Sequence, residues 1–112
     1  MALDDLKLLV KLEELDEYSR KALQQFPKME KFILCAEIRE TNANLIKLTI
    51  RAAKRYHKKT TLQDFDIELY YLRVLVRESY DLKYINAHRF EVWSDKITEV
   101  GKIFGGWLKA VG

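Results

Sequence analysis

Lys47, Arg51, Lys54 and Lys58 recur at intervals of four, three and four residues, with Arg55 beside them. At about 100° per residue, that spacing puts the row on one side of a helix. A cationic row rising about 5 to 6 Å per turn suits the phosphates of a nucleic-acid backbone. No acidic residue occurs between Thr41 and Lys59. A solvated helix face usually mixes signs to gain pairs four residues apart, so the one-signed row favours an anionic partner. The competing account is that it is only a solvated face. Arg73 and Arg77, set among Asp66, Tyr70 and Tyr80, form a second candidate, because Arg and Tyr can contact phosphate or stack on bases. The blander account has both arginines lay their stems over the core edge and pair with acids such as Glu13 or Glu37.

Residues for covalent or metal chemistry are few and scattered. His57 and His88 lie in different segments without metal-ligand spacing, and neither Glu78 nor Asp81 has a histidine three positions on, as a di-iron bundle needs. The lone Cys35 reads as a small apolar filler. Gly101, Gly105 and Gly106 fall inside a helical pattern and do not form a phosphate loop. These absences predict no enzyme activity, no metal and no cofactor.

Such a row has to be carried by a scaffold, and the composition restricts which one. The 112 residues suffice for one domain with one core, and 48% hydrophobic content excludes a disordered chain. Four Gly and one Pro are too few turn formers for a hairpin-rich fold. Four helices follow from period and punctuation, at about residues 4–25, 28–57, 60–82 and 86–110. Asp4 and Asp5 sit in the first turn, where the helix dipole favours negative charge. Leu8, Leu12, Leu15, Ser19, Ala22 and Phe26 form the first stripe, and Pro27 then stops one helix and opens the next. Leu34, Ile38, Leu45, Leu48, Ala52 and Tyr56 form the second stripe. Thr60 and Gln63 have the spacing of a capping box ahead of the third, which runs Leu62, Phe65, Leu69, Leu72, Val76 and Ser79. Asn86 is a candidate N-cap for the fourth, with Phe90, Trp93, Ile97, Val100, Phe104, Leu108 and Val111 as its stripe. Short connections between helices of similar length predict an all-α, antiparallel up-down-up-down four-helix bundle.

The net charge of +3 conceals an uneven distribution. Residues 1–26 hold 4 basic and 6 acidic side chains, and residues 27–59 hold 9 and 3. Residues 60–82 hold 2 and 5, and residues 83–112 hold 5 and 3. The positive charge is therefore concentrated in the second helix. Two further strips exceed what a monomeric bundle needs. Cys35, Ile46, Ile50 and Ala53, with Phe32 nearby, widen the apolar arc of the second helix to roughly twice the ~100° that a surface helix requires. Ser94, Thr98, Gly101 and Gly105 form a row of small residues along one side of the fourth helix. Both are candidate contacts of a homo-oligomer, the alternative being that both are used inside the bundle. Acidic residues stand near the start, where a signal peptide needs basic ones, and no apolar run approaches a membrane span, so a cytoplasmic location is expected.

An ordered set of short segments also resembles a known family. Phe26-Pro27-Lys28 precedes Phe32 and Glu37-Ile38-Arg39. Leu62 with Phe65-Asp66-Ile67-Glu68-Leu69 leads into Leu72-Arg73-Val74-Leu75-Val76-Arg77 and Tyr80-Asp81-Leu82-Lys83. Ile97 with Val100-Gly101-Lys102 leads to Gly105-Gly106-Trp107-Leu108-Lys109. Together they resemble the accessory variability protein (Avd) of diversity-generating retroelements over nearly the whole chain, least so in residues 1–20. The resemblance implies a four-helix bundle assembled into a pentameric, barrel-like homo-oligomer. It further implies two partners, the retroelement reverse transcriptase and nucleic acid, as template RNA or DNA. In that scheme the protein supports mutagenic reverse transcription and retrohoming without a catalytic centre of its own. The related four-helix protein of 23S ribosomal RNA intervening sequences is one alternative. A structural oligomeric bundle with no nucleic-acid role is another.

Overall fold

A computed structural model describes residues 3–111, with side chains from Asp5 onward. It contains helices α1 (Leu3–Leu23), α2 (Leu34–Lys54), α3 (Lys59–Asp81) and α4 (Ala87–Val111), with a single 3-10 turn over Lys28–Glu30 between the first two. There is no strand among the described residues. Each helix packs against the next, and α1 also packs against α4, so the four close around one core.

All six stripe residues expected of the first helix are buried, as are all six of the third. Burying a polar Ser19 requires partners, and it has two. Its hydroxyl donates to the Leu15 carbonyl at 2.8 Å and accepts the indole N–H of Trp93 at 3.0 Å. In α4, Trp93, Ile97, Val100 and Phe104 are buried, Phe90 and Leu108 are half-buried, and Val111 lies exposed at the helix end. Trp107, three residues beyond Phe104, fills the core beside the expected Leu108. Rings stack across α3 and α4, Phe65 on Phe104 at 4.6 Å and Tyr80 on Phe90 at 4.5 Å. Such pairs contribute about 0.5–1.5 kcal/mol each beyond their buried area.

The second helix is shorter at both ends than its pattern predicts. After Pro27 the chain closes bonds three residues apart, from Glu30 N–H to the Pro27 carbonyl and from Lys31 N–H to the Lys28 carbonyl. The backbone of Ile33 (φ −116°, ψ −94°) then separates this turn from α2. At the other end Arg55 is extended, with φ −94° and ψ 146°. Tyr56 therefore leaves the stripe and stands 92% exposed, although its spacing predicted a core position.

Helix ends elsewhere differ in their chemistry. The capping box expected of Thr60 and Gln63 is not formed, because α3 begins at Lys59 and its cap position, Lys58, makes no side-chain capping bond there. Asn86 does cap α4, its side-chain oxygen accepting the Arg89 N–H at 2.8 Å. Between α3 and α4, Lys83 takes φ 64°. Lys83 N–H bonds to the Tyr80 carbonyl and Tyr84 N–H to the Ser79 carbonyl, which together close the Schellman end of α3.

Candidate nucleic-acid interface

The outer face of α2 carries Lys47, Arg51 and Lys54, all exposed, as the side opposite a buried stripe must be. Lys47 and Arg51 border a shallow groove of about 320 Å³ against α3. Asp64 and Glu68 border the same groove, and Glu68 accepts a hydrogen bond from the Asn44 amide at 3.1 Å. The row that is one-signed along its own helix thus faces acids from the next helix. Such acids weaken the attraction that Lys47 and Arg51 can offer a phosphate.

Arg55 and Lys58 lie beyond the end of α2 and do not continue the row. The Lys58 ammonium turns back on the helix, donating to the carbonyls of Ala52 at 2.6 Å and Arg55 at 2.8 Å, with Ala53 at 3.5 Å. It is a C-terminal cap, placed where the helix dipole favours a cation. Arg55 is exposed and reaches the Thr61 hydroxyl at 3.4 Å.

Arg73 and Arg77 lie on a different side of α3 from the Lys47 groove. Arg73 is half-buried and donates to the Thr98 hydroxyl at 3.3 Å, and Arg77 is exposed. Asp66, Tyr70 and Arg73 line a groove of about 450 Å³ against α4, where Thr98, Gly101, Lys102 and Gly105 form the facing wall. Three members of the small-residue strip therefore meet the second basic candidate, while Ser94 lies half-buried one turn earlier. The strip on α2 divides. Cys35 is buried in the core, Ile46 and Ala53 pack on it half-buried, and Ile50 and Phe32 remain exposed. Burial and the charge of Glu30 push the Cys35 thiol up from its ordinary pKa, so it stays protonated.

A further group of cations was not apparent in the sequence. Arg20 from α1, Lys28 from the 3-10 turn, Lys31 just after it, and Arg39 from α2 line one groove of about 550 Å³. Arg20 belongs to an acidic segment, and the break at Ile33 puts Lys28 and Lys31 on a different segment from Arg39. Only the packing of α1 on α2 brings the four together. Glu30, the acid within the turn, accepts a hydrogen bond from the Tyr84 hydroxyl at 2.7 Å, which anchors the turn to the α3–α4 connection.

Among the described residues no group of three or more His, Cys, Asp or Glu could hold a metal ion, and no helix is long and apolar enough to cross a membrane. A family model described as bAvd-like matches residues 7–111, almost the whole of the described bundle. The chain belongs to the bAvd-like family. Comparison with curated proteins gives no significant match. As a bAvd-like chain it combines the four-helix scaffold with basic side chains on three separate surfaces, two of which residue spacing marks.

Proposed function

We propose that this chain is the non-enzymatic accessory protein of a diversity-generating retroelement, acting in the cytoplasm. It binds the element's reverse transcriptase and its template nucleic acid and supports mutagenic reverse transcription and retrohoming. The observation that carries this reading is the bAvd-like match over residues 7–111. The excess of 9 basic over 3 acidic residues in positions 27–59 supports the nucleic-acid part of it.

The functional unit in this reading is a homo-oligomer, a pentamer, of single-domain subunits whose helices run antiparallel, up-down-up-down. Cross-contacts support that order. Lys11 with Glu99 and Ser19 with Trp93 join α1 to α4, Asn44 with Glu68 joins α2 to α3, and Arg55, just past the end of α2, meets Thr61 near the start of α3. Arg73 with Thr98 and Tyr80 with Phe90 join α3 to α4. In every case the later residue of one helix meets the earlier residue of the other. Assembly is supported by exposed apolar side chains along α3, where Ile67 is 67% and Tyr70 is 70% exposed.

The deciding experiment co-expresses the chain with the reverse transcriptase of the same element and its template RNA. The expected result is a stable complex of the two proteins, and mutagenised cDNA that disappears when this chain is omitted. A chain that is monomeric at micromolar concentration and leaves cDNA synthesis unchanged would overturn the reading.

A further inference from the structure

We propose that the groove between α1 and α2, at the end of the bundle where the 3-10 turn joins them, binds the backbone of a single-stranded nucleic acid, with Phe32 as a stacking platform for a base. The inference rests on the nucleic-acid part of the reading above and assigns it to a face that the α2 row does not include.

Charge separates this groove from the others. Arg20, Lys28, Lys31 and Arg39 line it, and no carboxylate does. It adjoins a second groove of about 470 Å³ that shares Arg20, Lys31 and Arg39 and adds Phe32, Asp16 and Glu40. Asp16 is already paired with Arg20 at 3.0 Å. Among the described residues no carboxylate lies within the 4.0 Å of an ion pair from Lys28, Lys31 or Arg39. Glu30, in the same turn, accepts from the Tyr84 hydroxyl and makes no ion pair with the neighbouring lysines. The two adjoining grooves therefore present four cations against two acids. In the groove of Lys47 and Arg51, two cations face two acids. Cations without an ion-pair partner attract a polyanion by releasing its condensed ions, and Lys28, Lys31 and Arg39, from the turn region and α2, are such cations converging on one channel beside Arg20.

Phe32 decides the kind of polyanion. It is 83% exposed, and the Lys31 ammonium lies 5.5 Å from its ring centroid. A phenyl ring left in water beside a cationic channel is the composition of single-strand sites, where phosphates follow the charges and a base stacks on the ring. A duplex, with its bases already stacked, has no use for that ring, and an acidic peptide needs only the charges.

The test measures binding of a fluorescent single-stranded oligonucleotide to the full chain by anisotropy across a salt series. Lys31→Ala with Arg39→Ala should lower affinity about 25-fold near 0.1 M salt and reduce the log–log salt slope by about 1.4, at roughly 0.7 per phosphate contact. Lys47→Ala with Arg51→Ala removes the same charge and should change affinity by no more than about threefold. Phe32→Ala should weaken binding about fivefold or more, and Phe32→Trp should restore it with emission quenched by the bound strand. Trp93 and Trp107 are buried and give a constant background. Full loss in the Lys47/Arg51 pair with none in the Lys31/Arg39 pair would overturn this site while leaving the proposed function standing. Polyglutamate competing as well as the oligonucleotide, with Phe32→Ala silent, would assign the groove to an acidic protein segment instead. A wild-type chain that binds no strand at low salt would overturn the site and the nucleic-acid reading together.

Discussion

Replacing Gly105 by alanine separates what the bundle requires from what assembly requires. Glycine inside a helix is about 0.8–1.0 kcal/mol less favourable than alanine, because more backbone freedom is lost on folding. A Cβ at Gly105 or Gly106 would meet nothing within 4 Å, and at Gly101 it would make ordinary contacts, 3.6 Å from Leu69 Cδ2 and 3.7 Å from Arg73 Nη2. No glycine among the described residues has a positive φ. Nothing within the subunit therefore needs Gly105 or Gly106, and alanine at either should stabilise the monomer by about 1 kcal/mol. For a chain of this length that corresponds to a melting temperature about 4 °C higher. The two positions differ in one respect: Gly105 lines the α3–α4 groove with Thr98 and Gly101, and Gly106 does not. If a second copy approaches along the small-residue strip, Gly105→Ala should dissociate the oligomer at concentrations where Gly106→Ala stays assembled. Circular-dichroism melts of dilute protein give the first quantity, and sedimentation velocity over a concentration series gives the second. A lower melting temperature for monomeric Gly105→Ala would refute the open-space argument. Identical sedimentation of the two variants would remove the subunit contact from this strip.

Three further outcomes follow from other contacts. Ser19→Ala should cost about 2 kcal/mol, because it leaves the fully buried Trp93 N–H without its acceptor, and much less in a Trp93→Phe background; equal costs in a double-mutant cycle would show that the hydrogen bond is not the cause. Lys58→Ala should lower stability by about 1 kcal/mol in urea titrations through loss of the α2 cap, and leave oligonucleotide affinity unchanged. Equal stability with weaker binding would make Lys58 a phosphate contact after all. The hydrogen bond to Glu30 holds the Tyr84 hydroxyl above its ordinary pKa of 10.0, so its stabilising contribution is complete below that pH and lost as pH rises beyond it. Tyr84→Phe should flatten the alkaline limb of a stability–pH curve, and an unchanged limb would assign it to other groups.

The sequence by itself determined the helices and their buried sides. A helix buries a stripe at a fixed angular period, so Leu8 to Phe26 and Leu62 to Ser79 could be read off by counting, Ser19 and Ser79 included. It also set the family, since the matched pattern is itself sequence. Periodicity failed where a single turn changes geometry: nothing in the spacing marks the break at Ile33, the extended Arg55, or the loss of Tyr56 from the core. Tertiary structure alone decided which charges share a surface. The α2 row was one-signed only along its own helix, and packing set Asp64 and Glu68 beside it. Packing also drew Arg20 out of an acidic segment into one groove with Lys28, Lys31 and Arg39. Side-chain burial follows a period along one helix, but the field at a groove is a sum over neighbouring helices, and that sum exists only once they pack.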